Sequence, residues 1–186
     1  MASILSSFSK RFSLKRLRHY ITGGSDIKDA FRSRDLDKLR DLCRSADHWI
    51  FINQNIKGYS LLHNAIANND YEVLDIFLQL DYTNEIIDNM KNKEAHTPLH
   101  QAIQMQDYKS TCKLVEAGAN LEMTVSKGFN VIHIASALPS VRILDTLAKK
   151  SKISLLHAKS DEGSTPIIKA AEKGHLDNVS YLLDNL

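Results

Sequence analysis

The chain has 186 residues, 43% of them hydrophobic and 25% charged, with seven glycines, three prolines and a formal net charge of +2. That length can build one domain with a substantial core, and the composition is that of a helix-leaning soluble protein. Two cysteines, Cys43 and Cys112, are too few for a disulfide framework and share no metal-type spacing; no apolar run approaches the ~18 residues of a membrane-spanning helix.

The chain opens on a basic arm, residues 1–24. It carries Lys10, Arg11, Lys15, Arg16 and Arg18 and no acid. Five of the 24 basic residues lie there, which leaves a mildly acidic body of 19 basic against 22 acidic residues. Ile4, Leu5, Phe8 and Phe12 share one helical face, but Lys15 and His19 then fall on that face and end the stripe. Phe8 and Phe12, with Lys10 and Arg11, are the residues that would meet an anionic membrane surface. A flexible arm, a helix covering the first repeat and a mitochondrial transit peptide are the other readings of the same segment.

From Ser25 onward the chain repeats itself. "SDIKDAFRSRD" begins at Ser25, "GYSLLHNAIANND" at Gly58, "AHTPLHQAIQMQD" at Ala95, "GFNVIHIASALPS" at Gly128 and "GSTPIIKAAEKGH" at Gly163. Ser25, Ser60, Thr97, Asn130 and Thr165 occupy one register at spacings of 35, 37, 33 and 35, and all are good helix N-caps. Pro98 and Pro166 follow at the first helical position, where a missing N–H is harmless. Each short helix holds a small residue at a fixed place (Ala30, Ala65, Ala102, Ala135, Ala170), which allows close helix approach. A polar break and a second amphipathic helix come next, with Tyr71, Leu74, Phe77 and Leu78 on one face in one copy and Leu176, Val179, Leu182 and Leu183 in another. Gly118 in "EAGAN" is a helix stop.

"HTPLHQAI…LVEAGAN" and "STPIIKAAEKGHLDNVSYLL" resemble the ankyrin repeat, and the resemblance covers residues 25–186. Three departures stand out: Lys28 and Ile168 at the histidine position, and Pro139 where the family has glycine. The resemblance implies an all-α solenoid of about five helix–turn–helix units with short β-hairpin fingers, divided near 25–57, 58–94, 95–127, 128–162 and 163–186. One such unit cannot bury its apolar face alone, so neighbours supply the stability. The last unit ends within or just past its second helix, which leads to the expectation of a longer protein or array, with Leu182, Leu183 and Leu186 near an open end.

His96 and His100 are four residues apart, the spacing of a helical metal pair. His96 precedes the Thr97 cap, however, so it is not on the helix with His100. His63, His100 and His133 each stand three residues after a cap, where an imidazole can bond the capping side chain and link adjacent loops; the family resemblance implies that structural role. No phosphate-cradling loop, H-E-x-x-H or G-x-S-x-G occurs. The expectation is no catalysis, no cofactor and no metal.

The resemblance places partner binding on the finger tips and the inner-helix face. The finger segments, 53–59, 88–96, 123–129 and 159–163, each carry lysine: Lys57, Lys91 with Lys93, Lys127 and Lys159. These, with Tyr59, His96 and Phe129, are the candidate contact residues, and the lysines together would form a basic ridge facing an acidic partner. The connection from Leu78 to Thr97 is longer than its counterpart in the next unit and holds Tyr82, Ile86, Ile87 and Met90, as an apolar finger or a short extra helix. The expected function is recognition of another protein, in the cytoplasm or nucleus, without nucleic acid or small-molecule substrate. The alternatives are a regulatory or targeting region of a larger enzyme and a peripheral membrane adaptor using residues 1–20.

Overall fold

A computed structural model describes residues 26–45, 55–56, 59–80, 83–88, 92 and 94–185. The chain forms two compact units, residues 1–54 and 55–186. In the first, residues 26–33 are helical and are followed by α1 (Leu36–Ser45). Asp35 caps α1 by accepting from the Lys38 amide (3.0 Å). Ile27, Ala30, Leu39 and Cys43 are buried. Burial pushes the Cys43 thiol up to about 12, so it is an inert core residue.

The second unit begins with β1 (Asn55–Ile56) and β2 (Tyr59–Ser60), an antiparallel pair with Ile56 opposite Tyr59. Four helix pairs follow: α2 (Leu61–Ala67) with α3 (Tyr71–Leu78), α5 (Pro98–Gln104) with α6 (Tyr108–Glu116), α7 (Val131–Ser136) with α8 (Val141–Lys150), and α10 (Pro166–Glu172) with α11 (Leu176–Asn185). Two single-turn helices, α4 (Thr83–Ile86) and α9 (Ile153–Leu156), come after the outer helices α3 and α8. The inner helices pack in order, α2 on α5, α5 on α7 and α7 on α10, and the outer helices α3, α6, α8 and α11 do the same. The result is an all-α repeat solenoid.

Local chemistry explains each start. Ser60, Thr97 and Asn130 accept from the amides of His63, His100 and His133 at 3.3, 3.5 and 3.0 Å. Thr165 makes no side-chain cap bond, which departs from the expectation, and Ser25 lies outside the described residues. The small central residues do what their size suggested: Ala65, Ala102, Ala135 and Ala170 are fully buried where inner helices touch.

Hairpin pairing is sparser than expected. Among the described residues, a single bridge, Thr124 to Asn130, accompanies the β1–β2 pair. In that third finger, Lys127 and Gly128 both have positive φ (68° and 71°). A Cβ on Gly128 would collide with the Asp161 side chain, whose own amide donates to the Lys127 carbonyl (2.9 Å). Glycine is needed there because the next loop lies so close.

The long connection resolves as the extra helix. Thr83 donates to the Leu80 and Phe77 carbonyls (2.6 and 3.1 Å), and Ile86 and Ile87 are buried. Tyr82 and Met90, as well as Trp49, fall outside the described residues. At the far end Leu183 is exposed as expected, but Leu182 is fully buried. Its register matches Phe77, Leu114 and Leu147, which are fully buried as well. Leu186 is outside the described residues.

Leu99 is 1% exposed in the first turn of α5. Leu99→Ala is therefore expected to lower stability by roughly 2–5 kcal/mol, read by urea unfolding. Lys127→Ala, at an exposed finger tip, should shift the unfolding midpoint far less.

Candidate interaction surface

The inner-helix histidines define which side of each unit is framework. His63 Nε2 donates to the His96 carbonyl (2.9 Å), and His133 Nε2 to the Ser164 carbonyl (3.0 Å), each one unit further along. His100 Nε2 donates to the Met123 carbonyl (3.2 Å). A carbonyl can only accept, so Nε2 carries the proton in all three, and Nδ1 accepts in His63 and His100. The hydroxyls of Ser60 and Thr97 donate to Nδ1 of His63 and His100 (2.6 and 2.8 Å), and Nδ1 of His133 lies against both the Asn130 Oδ1 (2.8 Å) and the Asn130 backbone amide (3.3 Å). Both nitrogens of His100 are engaged, which leaves no lone pair for a metal despite a ring separation of 6.1 Å from His96.

Burial lowers the His63 pKa to about 4, against the hydrogen bonds to His96 and Thr97 that raise it. His133 is also lowered, again chiefly by burial. Both folded values lie below the unfolded one. As pH falls through 6.5, the unfolded chain takes up protons that the folded chain refuses, so stability falls until the folded pKa is reached. For His63 the loss between pH 6.5 and 4 amounts to roughly 3 kcal/mol. Urea midpoints measured across that range should decline, and His63→Gln should flatten the decline.

Tyr59, His96 and Phe129 turn out to share one register, each immediately before a cap, and each ring lies against the linking histidine: 6.3 Å for Tyr59–His63, 6.1 Å for His96–His100 and 5.5 Å for Phe129–His133. Tyr59 and Phe129 are half-buried. His96 is corrected as a contact residue: it is 8% exposed, its amide donates to Asn92 Oδ1 (3.0 Å) and its carbonyl is the acceptor for His63. Its side chain is held inside by the His100 ring, with Glu94 3.4 Å from its Nδ1.

The lysines fare unevenly. Lys127 is exposed but pairs with Glu162 on the next loop (2.8 Å), which raises its pKa, so its charge is answered within the chain. Lys152 pairs likewise with Glu122 (2.6 Å). Lys159 is exposed. Lys57, Lys91 and Lys93, together with Lys10, Arg11, Phe8 and Phe12 of the arm, lie outside the described residues.

The C-terminal ends of the four inner helices of the second unit present residues that sequence reasoning named only as a face. Three positions after each central alanine stand Asn68, Met105, Leu138 and Lys173. Asn68 and Lys173 are exposed, Leu138 is half-buried, and Met105 is 44% exposed. The signal was present, because that register is occupied in turn by amide, thioether, branched alkyl and ammonium groups, while the linking register holds the buried His63, His100 and His133 and, in the last unit, the exposed Ile168.

A stack of capped helix pairs, joined by imidazole-to-carbonyl bonds and carrying a chemically varied row at the inner-helix ends, defines a helical repeat protein. Residues 29–125, just over half the chain, match the family described as ankyrin repeats (3 copies), and the chain belongs to that family. It is similar to the ankyrin and armadillo repeat-containing protein of Mus musculus (30% identity over 142 residues, 67% of this chain and 10% of that protein). It is also similar to the nuclear factor NF-kappa-B p105 subunit of Gallus gallus (31% over 135 residues, 70% and 14%) and the putative E3 ubiquitin-protein ligase XBAT31 of Arabidopsis thaliana (28% over 138 residues, 68% and 29%). The chain thus spans less than a third of the length of each of these relatives. Ankyrin repeats are in general protein-interaction modules, and the repeat domain is not itself catalytic.

Proposed function

We propose that the array recognises another protein through its inner-helix row and finger tips, acting as a scaffold, adaptor or inhibitor in the cytoplasm or nucleus. The observation that carries this reading is the contrast between the three buried linking histidines and a row at the inner-helix ends that changes chemistry from unit to unit, with the unbranched Met105 open to solvent. A flexible thioether in an exposed setting adapts readily to an apolar partner side chain. Lys159 and Lys173 add exposed cations on the finger and inner-helix positions. The mildly acidic body argues for a protein rather than a nucleic acid as the partner.

The test is affinity capture from cell lysate with residues 1–186 and with Met105→Asp. The catch should be lost from the variant while its thermal midpoint stays unchanged. A catch that survives Met105→Asp but disappears on deletion of residues 1–22 would move recognition to the arm.

A second reading, a regulatory or targeting region of a larger enzyme, draws support from the small share of the longer relatives that this chain spans, one of them a putative ubiquitin ligase. The arm adds a separate proposal of contact with an anionic membrane through Phe8, Phe12, Lys10 and Arg11. Under it, replacing Phe8 and Phe12 with Asp should abolish sedimentation with phosphatidylserine-containing liposomes; unchanged sedimentation would discard it.

A further inference from the structure

Four of the turns between paired helices close in one way. The residue at the turn has positive φ (Arg34, Asn69, Gln106 and Gly174, between 54° and 72°). Its amide returns to a carbonyl near the end of the inner helix: Arg34 to Phe31, Asn69 to Ile66, Gln106 to Ile103 and Gly174 to Ala171, at 2.9 to 3.3 Å. The amide of the following residue returns to the central alanine, as Asp70 to Ala65 and Asp107 to Ala102, both 2.9 Å.

The fourth unit has Pro139 at the turn. Proline has no amide hydrogen and its ring holds φ negative, so neither the bond nor the conformation is available. The carbonyl that loses its donor is that of Ser136, the counterpart of Ile66, Ile103 and Ala171. A buried carbonyl without a donor is destabilising.

That carbonyl is not left alone. Asn178 Nδ2, on the outer helix α11 of the next unit, donates to Ser136 O (3.1 Å) and to Leu138 O (2.6 Å). His175 Nε2 lies 3.1 Å from Ala137 O beside it. Leu138 N–H takes over the central alanine, donating to Ala135 O (3.1 Å). Asn178 is 0% exposed, and its Oδ1 has no hydrogen-bond partner. At the same register the other outer helices bury Val73, Ser110 and Ile143. An amide in that position, with one end unsatisfied, has a physical reason only if its two N–H groups are needed elsewhere.

We infer that Asn178 is a latch that closes the fourth unit from the fifth, supplying across the boundary the hydrogen bond that Pro139 removes, so that the last two helix pairs order and open together. The end of α7 is completed only when α11 is docked. Pro139 and Asn178 are 39 positions apart in the chain but form one structural unit.

The test is a double-substitution cycle on residues 1–186: wild type, Asn178→Val, Pro139→Gly and both together, followed by urea unfolding and by amide exchange at residues 135–138 and 178–182. Valine is chosen because Val73 holds that register in another unit. With Pro139 present, Asn178→Val should raise the opening constant of both segments about tenfold or more, because it leaves the buried Ser136 carbonyl and the half-buried Leu138 carbonyl without that donor. With glycine at 139, which restores the turn amide, the same substitution should change it by less than about threefold. If Asn178→Val alone does not fold and the double variant does, that rescue is the same result in stronger form. Equal penalties in both backgrounds, no penalty in either, or failure of Pro139→Gly or of the double variant to fold would overturn the inference.

Discussion

Two hydrogen bonds on each linking imidazole, one inward to a cap and one onward to a backbone carbonyl, are what the stack is organised around. A short helix pair cannot bury its apolar face by itself, so the fold exists only as a series of boundaries. At the boundary after α2, His63 is completely buried yet fully satisfied, with Ser60 on one nitrogen and the His96 carbonyl on the other. The same ring sets where the next loop begins, because the carbonyl it holds precedes the next cap, Thr97. His133 does the equivalent work for Ser164 and Thr165. The polar link therefore fixes the register in which the apolar surfaces, led by Leu62, Ile66, Leu99, Ile103 and Ile132, come together. It also makes the array acid-sensitive, since burial lowers the pKa of His63 and His133.

The framework and the surface are separated by a few residues on the same helix. On α5, His100, Ala102 and Ile103 are buried, while Gln104 and the C-cap residue Met105 are open. The framework is so local that the exposed row is free to change chemistry from unit to unit, and that freedom underlies the proposed recognition function. The fingers are less free than their composition suggests. Lys127 is tied to Glu162, and the backbone of Lys127 receives the Asp161 amide, so adjacent tips are joined by a charge pair and a main-chain bond.

The fourth unit is where the pattern is broken and repaired. Its cap is an asparagine, its turn a proline, and its helix end is finished by side chains from α11. A departure from the repeat in one unit and a buried amide in the next are individually unfavourable and together compatible. That pairing shows how an array can carry an irregular unit without losing its neighbours.

Much of the fold could be read from the chain because its determinants are local. Caps at Ser60, Thr97 and Asn130, prolines at first helical positions and alanines at a fixed offset act within one helical turn, and their recurrence near every 35 residues defines the solenoid. The same spacing placed His63, His100 and His133 three residues after a cap, and the family resemblance implied their structural role. What only the tertiary structure decided depends on atoms far apart in sequence. His96 sits in a polar loop and reads as exposed, yet the stacking of its ring on His100 buries it. Lys127 reads as a free cation until the fingers align and bring Glu162 to it. Pro139 reads as a defect and Asn178 as an oddly polar core position, and only the docking of one unit on the next makes each the explanation of the other. Period and capping are properties of a single turn of chain; burial, pairing and the latch are properties of a boundary, and a boundary exists only after the units have stacked.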